Sequence, residues 1–195
     1  MSVPIQAGLR DKILVEATKL FVTSGYNGIS MREIAEAAGL SKAGLYYHFK
    51  DKEDLFLAIL SDNLDQIYTI VQSCCDGELN IRERIKRLVR AIFSQSPEER
   101  AIIRLASQEM ANLSPKSRAE FDREYHEKFI GQISNLFRDA MDHNEIHSTD
   151  PELLTWVLLG MMYPFFGPTL PEHRTDSSLL IETILSVFFD GITVH

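Results

Sequence analysis

The sequence predicts an all-α protein: a three-helix helix-turn-helix unit at the N-terminus, followed by a larger helical body. Three observations predict it. Helix-start signals recur at Ser30 with Glu33, at Ser96-Pro97 with Glu99, and at Asp150-Pro151, each leading into apolar residues at helical spacing. Ala35 and Gly39 stand one turn apart where two short helices would cross, a position that tolerates little more than a methyl group. Two C-terminal segments, 151–166 and 178–192, are apolar on nearly every side.

Residues 1–8 read as a loose arm, with no Lys or Arg before Arg10. The first helix spans 9–24, places Ile13, Leu14, Ala17, Leu20 and Phe21 on one face, and ends at Gly25. The central stretch is residues 30–52, SMREIAEAAGLSKAGLYYHFKDK. Ser30 and Glu33 form a capping box, so a helix starts at Met31 and turns Ile34, Ala35 and Ala38 inward. Gly39 supplies the permissive backbone of a sharp helix end. Leu40 plugs the turn, and Ser41 caps the next helix, which buries Leu45 and Phe49. Lys42, Ala43, Gly44, Tyr46, Tyr47 and His48 then face outward. The small residues let the backbone approach a groove, and the others donate hydrogen bonds. In a helix-turn-helix, the N-terminal part of this helix meets base edges in the major groove. Asp51 caps the following helix. Lys52 begins it, where an ammonium and a helix N-terminus can meet one phosphate. The expected DNA-contacting set is Ser30, Arg32, Ser41, Lys42, Ala43, Gly44, Tyr46, Tyr47, His48 and Lys52.

This run resembles the DNA-binding signature of the tetracycline-repressor (TetR) family over roughly residues 9–60. The helix caps, the Ala/Gly pair, the Tyr-Tyr-His-Phe run and the downstream lysine all fall in register. The remainder resembles the family only in being helical. The resemblance implies a DNA-binding domain at 1–52, a helical effector-binding and dimerisation domain at 53–195, and a homodimer through the two C-terminal helices.

The fourth helix, 52–72, carries Leu55, Phe56, Ile59, Leu60, Leu64, Ile67 and Val71. Its start belongs to the head and its remainder to the body, so it couples the two as a rod. Residues 74–80 form a loop marked by Asp76-Gly77. The adjacent Cys74 and Cys75 read as ordinary loop or helix-end residues, with a redox switch as the sharper alternative. The fifth helix, 81–94, turns Ile81, Ile85, Leu88, Val89 and Ile92 inward and Arg82, Arg84, Lys86, Arg87 and Arg90 outward. That outer face reads as solvated and paired with neighbouring acids, and the competing reading is a second DNA or partner surface.

The sixth helix runs over 97–112 and the seventh over 115–143. Phe121, Tyr125, Phe129, Ile133, Phe137 and Met141 make an i, i+4 stripe along the seventh: core by default, pocket wall as the sharper reading. His143 and His147 sit four apart at a helix end, and no metal is expected there. Pro164 should kink or shorten the eighth helix, 151–166, and a loop at 167–177 leads to the last helix. A helix apolar all round must be buried all round. In a body of five or six helices two such helices cannot both be central, so a second copy covers them about a two-fold axis. Two reader helices on one face of the duplex then call for a palindromic site.

The chain has 195 residues, 45% of them apolar, and a net charge of −8. Residues 1–52 hold seven basic side chains against five acidic, which is +2 and leaves −10 for the rest. A mildly basic head on an acidic body suits a protein that touches DNA with one end only. The longest apolar run, 156–167, has 12 residues and contains Pro164. A bilayer needs about 20. No signal peptide precedes the first charged residues, and the cysteine usage suits a reducing cytoplasm. No cofactor is expected, and no nucleotide loop, metal cluster or nucleophile–base arrangement points to an enzyme. The expected function is a ligand-responsive transcriptional regulator, a repressor released by a mainly apolar small molecule. Phe93, Met110, Phe121, Tyr125, Trp156, Met162 and Tyr163 are the pocket candidates. The alternatives are a DNA-binding regulator or architectural protein without an effector and, remotely, a helical enzyme.

Overall fold

In a computed structural model of the chain, residues 4–74, 79–166 and 177–190 are described, and among them every regular element is helical. Ten α-helices follow in order: α1 Pro4–Ser24, α2 Met31–Ala38, α3 Lys42–His48, α4 Lys52–Ser73, α5 Ile81–Phe93, α6 Pro97–Glu109, α7 Pro115–Tyr125, α8 Gly131–Asp142, α9 Pro151–Met162 and α10 Ser177–Asp190. Cys75, Asp76-Gly77, residues 167–176 and Ile192 lie outside the described residues.

The helices form two compact units. The first takes residues up to 63 together with 101–121; the second takes 64–100 and 122 onward. Helix α4 contributes residues to both.

In the first unit the arm expected at 1–8 is helical from Pro4, the residue type whose missing N–H and fixed φ suit a first helical position. Ile13, Ala17 and Phe21 of α1, Ile34 and Ala35 of α2, Leu45 of α3 and Phe56 of α4 are buried. Phe21, Tyr26 and Phe56 form an aromatic triangle with centroids 5.0–5.9 Å apart. The α2 capping box is complete: Ser30 Oγ accepts from the Glu33 amide at 3.3 Å, and Glu33 Oε2 accepts from the Ser30 amide at 2.7 Å. Gly39 ends α2 at φ 72°, and the Leu40 amide reaches back to Ala35 O at 2.8 Å. A Cβ on Gly39 would meet only Lys12 Nζ, at 3.6 Å. The left-handed backbone demands glycine there, and the closeness of the helix crossing does not.

The second unit holds two corrections to the sequence reading. Arg84 does not join the outer face of α5: it is buried, with Nη1 donating to Asp139 Oδ2 at 2.6 Å and Nη2 facing Glu145 Oε1 at 3.4 Å. Arg82, Lys86 and Arg90 do lie outside, paired with Asp190 and Glu182 of α10. Nor is 115–143 one uniform helix. Residues 126–130 make a π turn closed by the Gly131 amide donating to His126 O. The aromatic stripe accounts for it. An α-helix advances about 100° per residue, so each i, i+4 step drifts about 40° and five steps about 200°. One π turn absorbs a residue and halves that drift. Phe121, Phe129, Ile133 and Phe137 are buried, with Tyr125 and Met141 half-buried.

Helix α9 opens with Asp150 accepting from the amides of Glu152 and Leu153 at 2.9 and 3.2 Å. It ends at Met162, and Pro164 sits in a 3-10 turn. Leu154, Leu158 and Met162 turn inward, whereas Leu153, Trp156 and Val157 are exposed. Helix α10 repeats the pattern: Ile181, Ile184, Leu185 and Phe188 inward, Leu179 and Val187 exposed at 67% and 64%.

Candidate functional site

The reader surface is built on α3, seven residues started by Ser41, whose Oγ accepts from the Gly44 amide at 3.1 Å. Leu45 and Phe49 anchor it inward. Lys42, Ala43, Tyr46 and Tyr47 are exposed, Tyr47 at 77%, while Gly44 and His48 are half-buried. Lys42 Nζ lies 5.7 Å over the Tyr46 ring, and Tyr47 meets His48 edge-on at 5.4 Å. A Cβ on Gly44 would meet Ser41 Oγ at 3.4 Å and Leu40 beyond, which is ordinary contact. Gly44 is the third residue of this helix, and a glycine in a helix is worth up to about 1 kcal/mol less than alanine. No contact inside the chain offsets that deficit.

Besides Ser41, which caps α3, three more members of the expected set have work within the fold. Ser30 is committed to its capping box, its hydroxyl also donating to Glu33 Oε2 at 2.7 Å. Arg32 pairs with Glu36 at 2.8 Å. Lys52 Nζ donates to Tyr26 O at 2.8 Å and Ile29 O at 3.0 Å, and lies 4.5 Å over the Tyr26 ring. One N–H of this ammonium remains for a phosphate. Arg10, left unassigned by the sequence, lies 5.4 Å over the Phe49 ring at the end of α3.

A second group was missed entirely. The end of α6 and the start of α7 belong to the first unit and are tied to it by hydrogen bonds. The Tyr26 amide donates to Glu109 Oε1 at 3.2 Å, Asn27 Nδ2 to Asn112 Oδ1 at 3.0 Å, and Ser114 Oγ to Glu53 Oε1 at 2.7 Å. The hydroxyls of Ser117 and Ser114 hold the Glu53 carboxyl below its usual range. These partners lie 61 to 85 residues apart, and no local pattern announces them.

The seven pocket candidates divide. Met110 and Phe121 fall in the first unit, the other five in the second. There Phe93 packs on Phe166 at 5.7 Å, Tyr163 meets Phe166 at 6.3 Å, and Tyr125 lies 6.4 Å from Trp156 and 5.5 Å from Phe129. Burial, and then the neighbouring Tyr163, push the Tyr125 hydroxyl well above the usual tyrosine range, so it stays a neutral donor. Met162 is buried, whereas Trp156 stands on the exposed face of α9. A separate groove of about 460 Å³ runs along α8 and the start of α9, lined by Arg123, His126, Gln132, Asn135, Arg138 and Glu152 among others; none of the seven lines it.

The sequence profile of "Bacterial regulatory proteins, tetR family" matches residues 13–59, and that of "Tetracyclin repressor-like, C-terminal domain" matches 78–164. The transcriptional repressor KstR2 of Mycolicibacterium smegmatis is 30% identical over 184 residues, covering 90% of this chain and 89% of that one. The regulator QacR of Staphylococcus aureus is 53% identical over 53 residues, 27% of this chain and 28% of that one. The crystal structure of AibR in complex with isovaleryl coenzyme A and operator DNA superposes with a TM-score of 0.77 at 27% identity, over 92% of this chain and 97% of that one. No described helix is long and apolar enough to cross a membrane. With a capped helix pair presenting α3, a helical remainder and relatives matching nearly end to end, the chain belongs to the TetR family of helix-turn-helix transcriptional regulators.

Proposed function

We propose that the chain is a cytoplasmic repressor that grips a palindromic operator as a homodimer and leaves it when a mainly apolar small molecule binds the body. Residues 1–52 serve as the head and 53–195 as the effector-binding and dimerisation part, and no catalytic step is involved. The observation that carries this reading is the outward surface of α3, where a glycine without an internal reason stands among exposed Lys42, Tyr46 and Tyr47. Ala43 and Gly44 let the backbone approach, Lys42, Tyr46, Tyr47 and His48 reach base edges or phosphates, and Lys52 offers its remaining N–H to a phosphate.

The aromatic series Phe93, Phe166, Tyr163 and Tyr125 supports an apolar effector with one hydrogen-bond anchor at the Tyr125 hydroxyl. The AibR complex supports acyl thioesters as the first class to screen. Release requires differential affinity: a hundredfold preference for the released conformer is about 2.7 kcal/mol. The bonds from Glu109, Asn112 and Ser114 are the route by which a shift of α6 and α7 reaches the head.

The test starts from a duplex recovered by the protein out of a random pool. Titration with isovaleryl coenzyme A, longer acyl thioesters, free fatty acids and sterols should find one class that lowers its affinity at least tenfold. Intact DNA binding that no compound alters would remove the effector from this reading; failure to recover any duplex in dilute salt would remove the reader surface.

A further inference from the structure

Helix α4 is held at two points by residues in and just after the π turn, and one of the two holds rests on a carbonyl that the turn frees. The first runs through Gln132. Its Nε2 donates to Glu127 O at 3.0 Å, and its Oε1 accepts from Gln72 Nε2 on α4 at 2.9 Å. In an unbroken α-helix, Glu127 O would take the Gly131 amide. Here that amide goes to His126 O, and the Gln132 side chain occupies the carbonyl instead. The second grip is Lys128, inside the turn, whose Nζ bonds Asp65 of α4 and Glu124 Oε1, the latter at 2.6 Å. Asp65 and Gln72 are seven residues apart, hence on one face of α4.

The chain also provides for the turn. A Cβ on Gly131 would lie 2.9 Å from His126 O, a backbone atom with little freedom to move, so glycine fits the π closure as it stands. The i, i+4 spacing of the buried stripe needs the absorbed residue. Taking it away would swing the segment before the turn by about 100° relative to the segment after it. Gln132 Nε2 would then lose its acceptor, because Glu127 O would take a backbone amide as in any unbroken α-helix. π turns of this kind concentrate at functional sites.

We propose that the π turn is a positioning joint for operator binding. Gln132 and Lys128 act as positioning residues that hold α4, the helix beginning at Lys52, in its DNA-competent setting. Straightening the turn removes the carbonyl that fixes Gln132 and so loosens its hold on Gln72 of α4. The trigger rests on the ligand-responsive reading given above; the test does not, because it uses DNA alone.

Gln72→Ala, Gln132→Ala, the double variant and a deletion of Glu127 are compared with wild type, using the duplex that wild type recovers from a random pool. Dimer content and thermal midpoint are recorded alongside affinity. Each single glutamine variant should lower duplex affinity about fivefold, the scale of one neutral hydrogen bond, with the double variant no weaker than the singles. Deleting Glu127 should lower affinity at least tenfold in a chain that still sediments as a dimer. In wild type, amides at 126–132 should exchange more slowly once duplex is bound. A static structural role would instead lower the midpoints, leave affinity unchanged and leave exchange at 126–132 indifferent to DNA. That pattern, or losses that add in the double variant, overturns the proposal. Should the deletion not fold, the glutamine cycle and the exchange data decide it alone. Duplex binding insensitive to every effector would defeat the effector reading while leaving the joint standing.

Discussion

Gly39 and Gly44 stand five residues apart and answer to opposite demands. At Gly39 the backbone is left-handed, φ 72°, so Gly39→Ala should destabilise the protein by about 1–2 kcal/mol in urea unfolding. At Gly44 the backbone is helical and a Cβ meets only ordinary contacts, so Gly44→Ala should leave stability equal or raised by up to about 1 kcal/mol. Under the proposed reader surface the same change should weaken duplex binding, because it sets a methyl where the α3 backbone would approach the groove. Fluorescence anisotropy on the recovered duplex checks that half. Tyr47 extends the argument. At 77% exposure it holds little of the fold, so Tyr47→Ala should keep the wild-type thermal midpoint while losing about 1–3 kcal/mol of duplex affinity. Such outward residues were legible in the sequence because a capping box and a turn glycine fix which face of a short helix is free. Lys52 shows the limit. Its position at a helix start could be read, but its two carbonyl partners, Tyr26 O and Ile29 O, belong to a loop whose return path only tertiary packing defines.

At the scale of the element, helix identity was readable and helix irregularity was not, although the signal for it was present. A stripe repeating every four residues from Phe121 to Met141 cannot stay on one side of a straight α-helix, and the π turn resolves the conflict. Arg84 was misplaced for a related reason. Charge suggested the outer face, whereas its spacing from Ile81 and Leu88 belongs to the inner one. Its bond to Asp139 makes the link between α5 and α8 dependent on pH. The Arg84 guanidinium bonded to Asp139 holds that carboxyl below its usual range. A carboxyl with a depressed folded pKa contributes stability above its unfolded value, about 3.9, and loses it as pH falls through the folded value. Arg84→Met retains much of the buried stem and removes the charge. With His143, whose ring also faces Asp139 at 3.3 Å, replaced by Gln in both proteins, the midpoint difference between the parent and Arg84→Met should hold steady from pH 7 to about pH 5 and narrow only below about pH 4. A gap of constant size down to pH 2.5 would show that packing, and not the ion pair, supplies it.

Dimerisation was legible at the scale of the whole molecule from an excess: more apolar helix surface than one body can bury. The structure puts that excess on Leu153, Trp156 and Val157 of α9 and on Leu179 and Val187 of α10. Leu153→Glu combined with Val157→Glu places two charges on this face while sparing the inward Leu154 and Leu158. The variant should sediment as a folded monomer and lose at least about a hundredfold in duplex affinity, because two half-sites are no longer engaged by one linked particle. Trp156 is the place where pocket and interface readings part. From sequence alone an aromatic on an all-apolar helix fits either. In the structure it is 43% exposed, with Nε1 3.4 Å from Glu152 Oε1 and its ring 6.3 Å from His126. It is also the one tryptophan in the chain, so intrinsic emission reports on this position alone. Under the interface reading, emission should shift to the red as the protein is diluted through its dimer dissociation range, and the Leu153/Val157 double variant should show the red-shifted spectrum at every concentration. An effector that quenches Trp156 without changing the sedimentation coefficient would return the residue to the pocket, next to Tyr125. Emission that tracks dimer content and ignores bound effector would assign it to the two-fold axis.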